Sequence, residues 1–492
     1  MRADALEVVT GHAKYVGDIR LPNMLIGGVL YSAYPHAYVK AVRKDRALKV
    51  PGVEVVLSWE DIPQRWRGGI PPVVPILDKK VRSVGDAVAL IAARTEEALE
   101  EAIELMEVDY EPLPPLLSVK EAKNGKSLLY EELGTNLLPL NFPPFGEKSL
   151  VGIHVGDVEK GFKEADVVVE GQGRYTCIPN PLTAEPPGVV AIWENPDKVT
   201  LFVSSQSPFR DKYILEQVFN GEIKVRVIGL RCGGSFGSRA LSWRWYCFAI
   251  LLSRATGKPV KMVMSKAEQL STFVVRPSVS VEARIGMKRN GVLTAIEGSF
   301  LVDTGYYSRT TQGQIAVALG ELQLMLRCPN WNLRGELVCT TRLPSGQVRG
   351  FGGQEFKCAL LPIIWRGLAL LDVDPFEFIK GNWVRRGDEY YWRDGKKYQY
   401  RGINFTKMME AGAEKFGWRE KWKGWLRPTE VKGSKRIGVG VSIHGNADVG
   451  EDRAEALVIL YPNGQANIVG CIAEFGTGQT TNYGRMAAEV LG

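Results

Sequence analysis

The chain has 492 residues, 45% of them hydrophobic and 24% charged, which is enough for two or three domains with sizeable cores. Its formal net charge of +7 is mild and no polybasic run or basic stripe stands out, which argues against nucleic acid while suiting an anionic cofactor or substrate. Seven scattered cysteines without a C-x-x-C pair, and only four histidines, argue against a disulfide framework, a zinc ribbon or a histidine-rich metal site.

The first residues carry no apolar signal-peptide core, and no stretch approaches the ~20 apolar residues of a membrane helix. The expectation is a cytoplasmic chain without a membrane span. "MLIGGVLYSAYP" reads as a strand; "VPGVEVVLSWEDIP" reads as a turn, a strand and a helix start at Ser58. A strand over 87–92 leads to Thr95 as N-cap, a Glu-rich helix and a strand over 106–110, a compact α/β unit ending near residue 120. Clustered Pro, Gly and Asn make 126–150 a linker.

Beyond it, strands are expected at 167–169, 188–193, 199–204 and 223–229. "LSWRWYCFAILLSRATGK" reads as a buried helix closed by Gly257, followed by a strand in "KPVKMVMS". Asn290-Gly291 and Asn463-Gly464 are hairpin turn signals. "IGVGVSIHG", from Ile437, reads as a further strand, and "TTNYGRMAAEVLG" as a helix with a C-cap glycine. The fold class is α+β with large mixed sheets.

Two stretches place a Phe among glycines with Arg nearby: "RCGGSFGSRA" at 231–240 and "QVRGFGGQE" at 347–355. Neither has the lysine of a P-loop, and "EFGTGQTT" lacks the third glycine of a dinucleotide fingerprint. Bare backbone flanked by Arg231, Arg239 and Arg349 suits phosphate or another oxyanion. Gln206, just past an apolar strand in "FVSSQSPFR", is a candidate ligand contact. Trp243, Trp245, Tyr246, Tyr306 and Tyr307 read as ordinary packing or, alternatively, as stacking groups for a planar substrate. Arg309 is a candidate anchor for an anionic substrate. With no catalytic triad or zinc motif in view, the hard chemistry of an enzyme here would sit on a cofactor.

The order and spacing of "SSQSPF", "RCGGSFGSR", "VDTGYY", "VRGFGGQE" and "EFGTGQTTNYGRMAAEVLG" resemble the molybdopterin-binding large subunit of the xanthine dehydrogenase and aldehyde oxidase family. "VVTGHAKYVGDIRLPNMLIGGVLYSAYPHAYV" resembles that family's opening, and the α/β unit resembles its hammerhead domain. The resemblance implies a hammerhead domain at 1–125, a linker at 126–150, the first lobe of the molybdopterin domain at 151–430 and the start of the second lobe at 431–492.

It further implies cofactor contacts from Gln206, from Gly234, Ser235, Phe236 and Gly237, from Arg349, Gly350, Phe351 and Gly352, and from Gly476, Thr477 and Gly478. The cofactor would be molybdopterin, in its cytosine dinucleotide form for a bacterial source, carrying molybdenum or tungsten. A [2Fe–2S] subunit and a FAD subunit would be partners. The general-base glutamate, and the remainder of the second lobe, are expected on a second molybdopterin-subunit fragment, so no catalytic residue and no metal ligand is assigned to this chain. The implied activity is oxidation of an aromatic, heterocyclic or aldehyde substrate with water as oxygen source. Ala240 stands where the xanthine enzymes carry a substrate-binding glutamate, which argues against purines. Ser235, Ser238 and Thr477 also depart from the family pattern. The alternatives are a cofactor-free scaffold subunit, or a non-hydroxylating reductase or hydratase.

Overall fold

The computed structural model describes residues 2–68, 73–138, 152–176, 180–240, 242–308, 310–392, 396–403, 405–442 and 455–492. Two large mixed sheets organise it. A seven-stranded sheet runs in the order Lys224–Gly229, Lys198–Val203, Gly188–Trp193, Val260–Val263, Leu25–Tyr31, Ala87–Ala93 and Val53–Ser58. Its first and fourth neighbour pairs are parallel and the rest antiparallel. Three of its strands therefore come from the first hundred residues and four from beyond the predicted linker. The join is the parallel pairing of Leu25 with Val260 and Ile26 with Lys261.

Ala87–Ala93 is buried at every position, which is why it reads as a continuous apolar run rather than an alternating one. Thr95 caps the next helix, its Oγ1 accepting from the Ala98 N–H at 3.2 Å, as predicted. The helix expected at Ser58 is a single 3-10 turn, Trp59–Asp61, closed by the Asp61 carboxylate on the Ser58 N–H at 2.7 Å.

A second sheet of six strands carries the hairpin Ser278–Met287 and Leu293–Asp303, turning at Gly291 with φ +82°. Two helices not anticipated from the sequence, Thr311–Met325 and Gly353–Leu371, belong to this half. Both are apolar nearly all round, so no amphipathic stripe marks them. Residues 126–138 of the predicted linker are packed rather than loose. Tyr130 is buried with its hydroxyl on the Tyr306 carbonyl, Asn136 bonds Leu129, Ala122 and Ser127, and Leu137–Leu138 pairs with Leu337 and Val338 in the second sheet. The rest of that stretch, to 150, lies outside the described residues.

Of the strand expected in "IGVGVSIHG", residues 443–445 lie outside the described residues. Ile437 ends the short strand Lys435–Ile437, residues 438–442 are coil without a neighbouring strand to bond, and His444 lies outside the described residues. The Asn463-Gly464 hairpin is present as Ala456–Leu460 and Ala466–Gly470, and the last helix as Gln479–Leu491.

One buried ion pair fastens the early strands to the later helix Trp243–Thr256. The Arg244 guanidinium meets Asp86 at 3.0 Å, the Tyr306 hydroxyl at 2.7 Å and the Ile76 carbonyl at 3.2 Å. Burial alone would lower its pKa, but Tyr306, Asp86 and Tyr307 more than offset that and hold it charged. Arg244→Met leaves the Asp86 carboxylate buried without its cation and is expected to cost about 3 kcal/mol or more. Denaturant unfolding followed by tryptophan fluorescence measures it.

Candidate functional site

The first glycine stretch follows the strand Lys224–Gly229 and turns sharply. Gly234, Phe236 and Gly237 all have positive φ, +104°, +52° and +94°. The second does the same before the helix Gly353–Leu371, with Gly350 at +101°, Phe351 at +39° and Gly352 at +93°. A phenylalanine in the left-handed region costs on the order of 1–3 kcal/mol, and such strain gathers at ligand sites. Here it occurs twice, and Phe236 is also 44% exposed.

The two turns touch. The Arg349 N–H donates to the Phe236 carbonyl at 2.7 Å, and a Cβ on Gly237 would sit 2.8 Å from the Gln347 carbonyl oxygen. A Cβ on Gly352 would sit 2.5 Å from the Gln314 carbonyl oxygen. Glycine is required at both places by close backbone approach as well as by φ. The third stretch joins the first through the Cys232 N–H on the Glu474 carbonyl at 3.1 Å. Three segments more than a hundred residues apart thus form one continuous surface of backbone.

Its polar character is one-sided. The N–H groups of Gly234, Ser235, Phe236, Gly237, Gly350 and Gly352 donate to nothing among the described residues. The Ser235 hydroxyl donates to Gln206 Oε1, which turns the amide so that its Nε2 is left free to donate. The exposed Arg349 guanidinium has no partner among the described residues. Gly352 is the N-cap of a 19-residue helix whose positive end faces the same turn. Donors collected in this way suit a ligand rich in oxygen and negative charge.

Over 357 residues the chain is 31% identical to the nicotinate dehydrogenase large molybdopterin subunit of Eubacterium barkeri, covering 72% of this chain and 80% of that protein. The chain belongs to the molybdopterin-binding large subunits of the xanthine dehydrogenase and aldehyde oxidase family. The family model of the aldehyde oxidase and xanthine dehydrogenase a/b hammerhead domain matches residues 10–114, and that of the molybdopterin cofactor-binding domain matches 143–383. A probable xanthine dehydrogenase subunit of Bacillus subtilis is 33% identical over 388 residues, 78% of this chain and 50% of that one. Among solved structures, the aldehyde oxidoreductase of Desulfovibrio gigas shares the fold with a TM-score of 0.80 at 24% identity, over 95% of this chain and 51% of that one. The chain spans about half the length of these last two proteins.

The donor set fits molybdopterin, whose metal centre and phosphates present oxygens to whatever holds them. Two of the predicted arginines do not belong to it. Arg239 is buried, with its guanidinium on Ser204 and Thr183 at 3.0 Å and on the Glu185 carbonyl. Arg231 is paired with Asp4 at 3.1 Å and Glu7 at 2.7 Å. Both brace the first turn from behind, because each has an acceptor within reach of a long side chain; Arg349 has none among the described residues.

At the third stretch the Gly476 and Gly478 N–H groups are taken by the Glu474 carboxylate at 2.9 and 3.0 Å, leaving Thr477 between them. Burial would raise the Glu474 pKa, but these backbone donors and Arg2 outweigh it and hold the carboxyl below its usual range. Ala240 is buried, its N–H closing the turn on the Gly237 carbonyl at 3.1 Å, and Arg309 lies outside the described residues. Burial pushes the Cys232 thiol up to about 11, and its Sγ donates to the Gly234 carbonyl at 3.3 Å. Trp243, Trp245, Tyr246, Tyr306 and Tyr307 are buried packing residues. A separate cavity of about 680 Å³, lined by Leu324, Phe376, Trp383, Met408 and Phe416 among others, includes none of the loop residues.

Sequence reasoning missed four residues that hold the turns. Glu185 accepts the Gly233 N–H at 2.7 Å; burial raises its pKa although that bond and Arg239 oppose it. Arg276 donates to the Arg349 carbonyl and pairs with the fully buried Glu355 at 2.9 Å. Only Glu474 left a local signal, a carboxylate two and four residues before the glycines it caps. The Arg276–Glu355 pair spans 79 positions and left none.

Proposed function

We propose that this chain supplies the cofactor-facing loops of a molybdenum- or tungsten-dependent hydroxylase or dehydrogenase. The observation that supports this most directly is the joined surface of free N–H donors at 234–237, 350 and 352 beside the Gln206 amide. When bound, molybdopterin supplies two-electron oxidation of an aromatic, heterocyclic or aldehyde substrate, with water as the oxygen source. Gln206 donates from Nε2 to an oxygen of the cofactor. The Phe236 and Gly237 backbone approaches closely and presents preorganised N–H dipoles, which need no rearrangement as charge develops. Arg349 pairs with an anionic group, and Phe236 and Phe351 keep water from the face they cover.

The cofactor form we favour is the cytosine dinucleotide. The partners we infer are a [2Fe–2S] subunit, a FAD subunit and a fragment completing the second lobe and bringing the general-base glutamate. A completing fragment is supported by the hairpin Ala456–Gly470 and the last helix. Leu457, Leu460, Val469, Met486 and Val490 are all more than half exposed there, and an isolated hairpin is marginally stable in water. A second reading, a scaffold that keeps the fold without the cofactor, is favoured by one observation: Glu474 occupies N–H groups of the third stretch.

Metal analysis by plasma mass spectrometry on the complex from its native source separates the two. About one molybdenum or tungsten per chain, with a pterin released on denaturation, is the expected result. A complete complex free of both metals and of pterin would establish the scaffold.

A further inference from the structure

The net charge of this protein is not spread over it. Residues 415–436, "KFGWREKWKGWLRPTEVKGSKR", hold eight lysines and arginines against two glutamates, a net +6 out of the chain's +7. No unbroken run appears in the sequence because Trp, Gly and other residues interrupt it, but all eight lie within one 22-residue segment. All eight basic residues are exposed, and among the described residues only Lys432 of the eight has a carboxylate partner, Glu430 at 2.9 Å.

The surface is held by an aromatic scaffold. Trp418, buried, donates its indole N–H to Asp374 at 3.0 Å, and Trp425 donates to the Val373 carbonyl at 2.8 Å. Trp422 stacks on Trp418 at 5.4 Å with planes 10° apart and meets Trp425 edge-on at 5.5 Å. The hairpin Glu430–Ile437 is tied to this ladder, since Thr429 donates its N–H to Ile437 and its hydroxyl to the Lys421 carbonyl. At the tip stands Leu426, fully exposed with φ +57°.

We propose that this surface docks the acidic face of a partner protein, with Leu426 entering an apolar pocket within that face. Charge complementarity calls for an acidic occupant, since seven cations stand without a carboxylate among the described residues. The scaffold decides which kind. Single-stranded nucleic acid would stack on open aromatic faces, but these rings are used on one another. A lipid interface would take tryptophans at the water boundary, but the indole N–H groups of Trp418 and Trp425 are bonded inward. What remains outward is one fully exposed branched apolar side chain, Leu426, with exposed Lys423 and Arg427 beside it in the chain, the form of an interface anchor with a polar rim. The inference does not depend on whether the glycine loops hold molybdopterin.

The test uses the complex purified from its native source and a zero-length carbodiimide cross-linker. The expected result is cross-links from Lys421, Lys423, Lys432 or Lys435 to Asp or Glu of one co-purifying subunit. The triple variant Lys421→Glu, Lys423→Glu, Arg427→Glu should then retain that subunit at least about tenfold more weakly, and Leu426→Asn should weaken it too without altering the charge. Exchanging the cross-linked carboxylates of the partner for lysine should restore binding to the triple variant. The proposal is overturned if no such cross-link forms, if subunit composition survives the triple variant, or if the triple variant instead abolishes binding to phosphatidylglycerol vesicles or a DNA duplex.

Discussion

Gly237→Ala is expected to give a folded chain that holds little or no cofactor. The new Cβ would lie 2.8 Å from the Gln347 carbonyl oxygen, and φ there is +94°. Neither neighbour can yield cheaply, because the obstructing atom is backbone of the second turn. The turns must part, and a displacement of about 1 Å in a positioning element costs on the order of 100-fold in rate. Gly221→Ala is the matched control: its φ is +74° but no atom lies within 4 Å of the added carbon. It should lose about 1 kcal/mol of stability and keep its metal and pterin. Metal and pterin content of the two variants, read beside their unfolding midpoints, checks the contrast. Equal cofactor content in both would mean that contact between the turns does not shape the site.

Arg276→Met is expected to do harm in two separable ways. It removes the donor that holds the Arg349 carbonyl, and it strands the Glu355 carboxylate, which is 0% exposed. Stranding a buried charge costs about 3–5 kcal/mol. Burial already raises the Glu355 pKa, with Arg276 opposing, so loss of Arg276 raises it further. A raised carboxyl contributes stability below its unfolded pKa that is lost as pH rises through the folded value. The deficit of Arg276→Met should therefore be small near pH 4 and grow toward pH 8.

Adding Glu355→Gln removes the stranded charge and should recover most of the stability at neutral pH. It cannot replace the donor to Arg349, so the double variant should still show faster hydrogen exchange at 349–352 and reduced pterin content. Full recovery of both would reduce Arg276 to a charge partner and deny it a role in placing the second turn.

These experiments probe contacts that local sequence could not announce. The strand Ala87–Ala93, the Thr95 cap, the two Asn-Gly hairpins and the Gly257 helix end were legible because each rests on residues a few positions apart. So were the glycine-flanked phenylalanines, since a Phe set among glycines signals unusual φ wherever it lies. The helices Thr311–Met325 and Gly353–Leu371 were not: the first is buried nearly all round, and the exposed stripe of the second, Cys358, Pro362, Arg366 and Leu370, holds a single charged residue, so neither shows a polar face. Residues 438–442, read as part of a strand, are coil for the converse reason: alternation marks a strand only where another strand supplies bonds.

The sequence alone determined the family, the place of the three glycine stretches and the candidacy of Gln206, all of which reside in residue identity and order. Tertiary structure decided which arginine faces outward. Arg231, Arg239 and Arg349 look alike beside glycine, but a long side chain goes to the nearest unmet acceptor, and only the fold places Asp4 beside one and the Glu185 carbonyl beside another. It decided, too, that the three turns form one surface, because their contacts run between backbone atoms that carry no sequence signal.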